Sequence, residues 1–220
     1  MLIAFSTLDL FSQIEKGKII ISFDGNYNKT INSNGVNADH NTINGKYLSV
    51  GTSIGFFLSN RFIIGIGLDY DWNKEYRFYE MTLFYKYYQS ENMNITSKFF
   101  LPNIYFGYYY QIINKLYFNS NLKFSFSKIK TETNSIYAGF DISSDLGHNY
   151  VRIPPTQNSE TDFFSININP EMTYFLSNKF SVYIGLGGIE YSISDWKNDN
   201  SSWTINFNPI YWSFGIKMKI

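Results

Sequence analysis

Apolar and polar side chains alternate along most of this chain, and a repeat of two is the mark of a strand with two unlike faces. In residues 62–72 (FIIGIGLDYDW), Phe62, Ile64, Ile66, Leu68, Tyr70 and Trp72 share one face, while Ile63, Gly65, Gly67, Asp69 and Asp71 share the other. Residues 116–126 repeat the pattern, with Leu116, Phe118, Leu122, Phe124 and Phe126 set against Tyr117, Asn119, Asn121, Lys123 and Ser125. Residues 180–188 set Phe180, Val182 and Ile184 against Ser181, Tyr183 and Gly185. Residues 19–27, 48–58 and 164–176 alternate in the same way. Two further strands are less regular: 99–112 is aromatic on both faces, and 203–220 changes parity near Pro209, where a β-bulge would restore the facing. The pattern predicts eight strands.

The connections are unequal. Ser59-Asn60-Arg61, Asn114-Lys115 and Ser177-Asn178-Lys179 make short turns, while polar segments near 31–45, 73–98, 131–162 and 194–202 read as long loops. Short and long connections in alternation place all the long ones at one end of an up-and-down meander. FFLSNRFIIGIGLDY (56–70) and YFLSNKFSVYIGLGGIEY (174–191) are copies of one hairpin, and 108–124 is a looser third copy. Within the second long segment, EYRFYEMTLFYKYY (75–88) has strand composition and predicts a protruding hairpin that turns near Ser90-Glu91-Asn92.

Volume decides which face points inward. An eight-stranded barrel has an interior barely wide enough for side chains. The glycine-rich face therefore lies inside and the bulky face outside. In water such an outer face would be an intolerable apolar patch, whereas a bilayer accommodates it. The fold class expected is all-β, a closed eight-stranded antiparallel up-and-down transmembrane β-barrel spanning 14–220 as one domain. Phe62, Tyr108 and Phe180 by the short turns, and Tyr70, Trp72, Phe164, Tyr191 and Trp203 by the long loops, would form two aromatic girdles. Asp24, Asp69, Asp71, Lys123, Glu171, Glu190 and Lys217 would form a polar network in the lumen, with Lys123 and Glu171 paired across neighbouring strands.

Composition agrees with this reading. Aromatic residues make up 20% of the 220 residues and charged residues only 16%. Equal numbers of acidic and basic residues, 18 each, give no electrostatic case for nucleic acid or for an anionic membrane surface. Cysteine is absent, which excludes thiol catalysis and disulfide scaffolds. Residues 1–13 (MLIAFSTLDLFSQ) read as the remnant of a secretory signal.

FSQIEKGK after that signal, the turns FFLSNRF and YFLSNKF, and the closing strand IYWSFGIKMKI resemble the eight-stranded outer-membrane barrels of the OmpA-like and OmpX-like type, particularly the version found in Bacteroidetes. Many outer-membrane proteins end in Phe or Trp; here the last residue is Ile220, with Trp212 and Phe214 in the same strand. The resemblance implies an integral bacterial outer-membrane protein exported through the periplasm. Its partners would be outer-membrane lipid, the barrel-assembly machinery during biogenesis, and an extracellular partner reached through the long loops, with no nucleic acid. The role expected is structural or adhesion-like surface interaction, with a packed lumen, no open pore, no cofactor and no catalysis. Two alternatives stand beside it. A soluble lipocalin-like barrel would carry its apolar face inside. A small lipid-modifying enzyme would need His148 beside Ser143, Ser144 and Asp145, while His40 lies in a different segment. The oxygen-rich stretch DWKNDNSS (195–202) lacks the ligand order of a calcium loop.

Overall fold

The computed structural model describes residues 14–36, 39–83, 87–141, 148–194 and 200–220; the expected signal 1–13, residues 143–145 and most of the 195–202 stretch lie outside them. The strands are β1 (Ile19–Val36), β2 (Asp39–Phe57), β3 (Phe62–Leu83), β4 (Tyr87–Ile113), β5 (Leu116–Asp141), β6 (His148–Arg152), β7 (Gln157–Phe175), β8 (Phe180–Gly185), β9 (Gly188–Ser194), β10 (Asn200–Asn206) and β11 (Ser213–Lys219). All pairings are antiparallel. The ring runs β1–β2–β3–β4–β5–β7–β8–β11 and closes where β11 meets β1, from Ile20 opposite Lys219 to Gly25 opposite Phe214. The barrel is therefore eight-stranded and closed. β6 extends the sheet from the upper part of β5, and β9 and β10 form a hairpin above β8 and β11.

Side-chain volume sorts the two faces as expected. Leu68, Val182, Ile66 and Phe214 lie on the outer surface, the last two 60% and 61% exposed, while Gly55, Gly65, Gly107 and Gly185 are buried inside. Cross-strand ring pairs edge the apolar belt. Phe62 packs on Tyr108 at the short-turn end (centroids 4.9 Å apart); Tyr70 on Phe100 (5.0 Å), Phe126 on Phe164 (4.9 Å) and Tyr191 on Trp203 (4.9 Å) lie toward the other. From Phe62 to Trp72 the wall rises roughly 33 Å along the strand, or roughly 25 Å of height at the usual tilt, which matches the apolar band of a membrane barrel.

The segments expected as long loops are mostly strand. β4 alone has 27 residues, and at a tilt of about 40° it stands roughly 65 Å tall, so about 40 Å of it lies beyond the belt. Continuing the ladder upward gives most backbone N–H and C=O groups a partner, and polar residues on both faces cost little where both meet water. The protruding hairpin does not turn at Ser90-Glu91-Asn92. Its pairing continues to Leu83 opposite Tyr87, and Ser90 lies opposite Glu80 within the ladder.

The last strand is broken more deeply than by a bulge. After β10 the chain makes a one-turn 3-10 helix, Pro209–Tyr211, capped by the Asn208 side chain, before β11 begins. This detour keeps Trp203, Ile205 and Phe207 outward before the break and Phe214 and Ile216 outward after it. Its neighbour shifts register in step: Gly187, with φ of +81°, separates β8 from β9. That single extra residue turns Glu190 inward beside Asn167. At the same height the ring has a seam. Among the described residues β10 pairs with β9 alone and β1 beyond Gly25 pairs with β2 alone, and Asn26 Nδ2 bridges to the Trp212 carbonyl at 2.7 Å.

Candidate functional site

The two copied hairpins close in the same way. Ser59 Oγ accepts from the Arg61 and Phe62 N–H groups, and Ser177 Oγ accepts from those of Lys179 and Phe180. Each copy thereby sets one phenylalanine, Phe57 or Phe175, into the bottom of the barrel. These rings join Tyr109 and Tyr117 in an edge-to-face chain, with centroids 5.4, 6.5 and 5.3 Å apart from Phe57 through to Phe175. Ile14, Ile20 and Ile63 complete the floor, and Ile14 is fully buried there. The Gly17 N–H on the Phe57 carbonyl (2.9 Å) and the Lys16 N–H on Asn60 Oδ1 (3.0 Å) hold the incoming chain beneath it.

Above this floor lies an ionic layer. Lys217, 4% exposed, places Nζ 2.6 Å from Glu171 Oε2, 3.2 Å from the Tyr109 hydroxyl and 4.1 Å from the Tyr183 ring centre. Asn119 and Asn121 donate to the two oxygens of Glu171 at 2.6 and 2.8 Å, and Thr173 donates to Asn119. Lys123 pairs with Asp69 at 2.8 Å, and Asn103 donates to the same carboxylate. Asp24 accepts from the Tyr183 hydroxyl at 2.7 Å. Asp71 is buried, opposite Ser49. The pairing expected between Lys123 and Glu171 is replaced by two pairs that each reach past a strand: β5 to β3, and β11 to β7. Inward side chains of alternate strands meet because the lumen is narrow.

Sequence reasoning placed Tyr117 and Tyr183 on the inward face but missed the other inward aromatic residues, Phe57, Tyr105, Tyr109 and Phe175. Glycines make the room for Tyr105 and Tyr183. A Cβ on Gly65 would collide with the Tyr105 ring and with the Ile54 carbonyl, and one on Gly215 would strike the Tyr183 ring. The signal was the parity of Phe57, which it shares with Gly51, Ser53 and Gly55. Gly65→Ala is expected to destabilise the barrel by about 1–3 kcal/mol, because a backbone carbonyl cannot step aside. A urea-unfolding midpoint in detergent checks this, and an unchanged midpoint would show that the ring and strand yield freely.

Above the ionic layer the lumen widens into a polar cavity of about 550 Å³, reaching Asn26, Asn28, Asn73, Asn167 and Glu190. Asn26, Asn103, Asn121 and Asn167 line it with amide oxygens that have no protein partner among the described residues. A polar space of this size accommodates water at such acceptors. The lumen is thus a cup with an apolar floor. No group of three or more acidic or imidazole side chains suited to a metal occurs among the described residues. His40 and His148 stand on β2 and β6, and their side chains lie outside what is described.

No family model and no curated protein matches this chain. It is similar to several solved structures. One is Ail, the attachment invasion locus protein of Yersinia pestis (8% identity, 93% of this chain and 99% of that one, TM-score 0.40). A second is the outer membrane protein OprG from Pseudomonas aeruginosa (10% identity, 96% and 99%, TM-score 0.41). A third is the N-terminal β-barrel domain of Pseudomonas aeruginosa OprF (13% identity, 94% and 98%, TM-score 0.33).

Proposed function

We propose that this chain is an integral β-barrel of a bacterial outer membrane whose work is done on the long-hairpin side, as a structural or adhesion-like surface protein. One observation carries the reading: a continuous outward belt of aliphatic residues, edged by ring pairs, surrounds a polar lumen. That is the inverse of a soluble carrier, whose apolar face would line the cavity. The floor of Ile14, Phe57 and Phe175 argues against an open solute pore, so the lumen serves to support the wall.

The tall sheet supports the surface role. Among the described residues β6 pairs only with β5, and Tyr150, Val151 and Ile153 at this edge are exposed, Val151 to 69%. An edge strand with unpaired backbone groups and apolar side chains can accept a strand from another protein.

Heat-modifiable gel migration tests the membrane reading. Protein extracted from membranes with detergent is expected to migrate as a compact band before boiling and to shift afterward. Release by salt or carbonate without detergent, with no shift on boiling, would sink it.

A further inference from the structure

The net charge of zero conceals where the charges sit. On the outer face Lys29 lies opposite Lys46, and Lys46 opposite Lys74, forming one row across β1, β2 and β3. Lys98 lies opposite Lys130 on β4 and β5. All five are exposed. The row of three stands two residues along each strand from Tyr27, Leu48 and Trp72, which are themselves in register. Two residues lift a side chain roughly 5 Å above the girdle at the usual tilt, which is headgroup depth.

Like charges directly opposite each other on adjacent strands destabilise a sheet. Among the described residues the ion pairs are Arg77 with Glu75, Lys123 with Asp69, Lys128 with Asp162, and Lys217 with Glu171. None of them neutralises Lys29, Lys46 or Lys74, whereas Lys130 has Glu160 directly opposite on β7. Three in-register ammonium groups on flexible stems attract an anion from outside the chain, and a phosphate between neighbouring strands would accept from two at once. The position of the row selects the source, because it lies flush with the edge of the apolar belt rather than out on the tall sheet.

We infer that Lys29, Lys46 and Lys74 bind the phosphates of anionic lipid headgroups in the leaflet on the long-hairpin side. This rests on the membrane-barrel reading. The test is native mass spectrometry of the full chain in uncharged detergent, mixed with phosphatidic acid or with phosphatidylcholine. Wild type is expected to retain phosphatidic acid preferentially. Lys29→Gln/Lys46→Gln/Lys74→Gln is expected to weaken its tightest binding about tenfold or more, while the matching Arg triple keeps it. Folding of each variant is read from the heat shift. If the Gln triple loses that shift, Lys46→Gln alone, at the centre of the row, is expected to show a weaker but measurable loss. Equal retention of both lipids, unchanged retention in the folded Gln variants, or displacement of the lipid by inorganic phosphate would each overturn the assignment. Loss of the heat shift in wild type would instead overturn the membrane reading beneath it.

Discussion

Glu171→Ala should lower the stability of the folded barrel by about 3–5 kcal/mol, the usual loss when one partner of a buried ion pair is removed. Glu171 holds Lys217, Asn119 and Asn121 at once; Lys217 is only 4% exposed, and among the described residues it pairs with no other carboxylate. The Tyr109 hydroxyl and the Tyr183 ring remain beside it but supply no full charge. Denaturant unfolding in detergent measures the loss. Glu171→Gln/Lys217→Met should recover most of it, since removing both charges also removes the cost of burying either. A loss below about 1 kcal/mol for Glu171→Ala would mean that water from the cavity above already solvates Lys217, and the ionic layer would not be what fixes the lumen.

Ile66→Arg is the second large effect, and it depends on what surrounds the belt. Ile66 is 60% exposed, near mid-height, with Ile54 and Ile104 in register on either side. In water an arginine there would change stability little, as surface substitutions usually do. Near the middle of a bilayer it should cost about 2–4 kcal/mol. Refolding into lipid vesicles, with unfolding followed by tryptophan fluorescence, separates the two cases. A cost within experimental error of zero in lipid would contradict the membrane assignment of this face.

The wall of the barrel was legible in the sequence because parity is local: Phe62, Ile64, Ile66 and Leu68 declare their side without reference to any other strand. Parity near Pro209 also announced that something must interrupt the last strand, although not whether one residue or a whole turn would do it. The lumen was only half legible. Its acids and lysines could be named from the face they share, yet their partners could not. Lys123 finds Asp69, and Lys217 finds Glu171, by reaching past β4 and β8, and that reach depends on barrel radius and strand stagger rather than on neighbouring strands. Aromatic residues misled for a related reason. A tyrosine suits a lipid interface and a packed interior equally well, so Tyr105 revealed its side only through Gly55 and Gly65, which it covers. The lysine row was hidden by summation, since a total charge of zero carries no record of position. The long polar segments looked like loops because alternation fades where water wets both faces, although the hydrogen-bond ladder continues there unchanged.

The joint between β1 and β11 also has a bearing on how this molecule is made. It unites the strands farthest apart in the chain, and its backbone links run from the Ile19 N–H to the Ile220 carbonyl and back again. Contacts of such long sequence separation form late, because the entropy of the intervening loop must be lost first. Until residues 213–219 arrive, the nascent sheet has two raw margins, one on β1 and one on β8, each able to zip onto a stranger. Circularisation is therefore the step most exposed to error, and a factor that shields those margins during insertion would protect the whole molecule at one place.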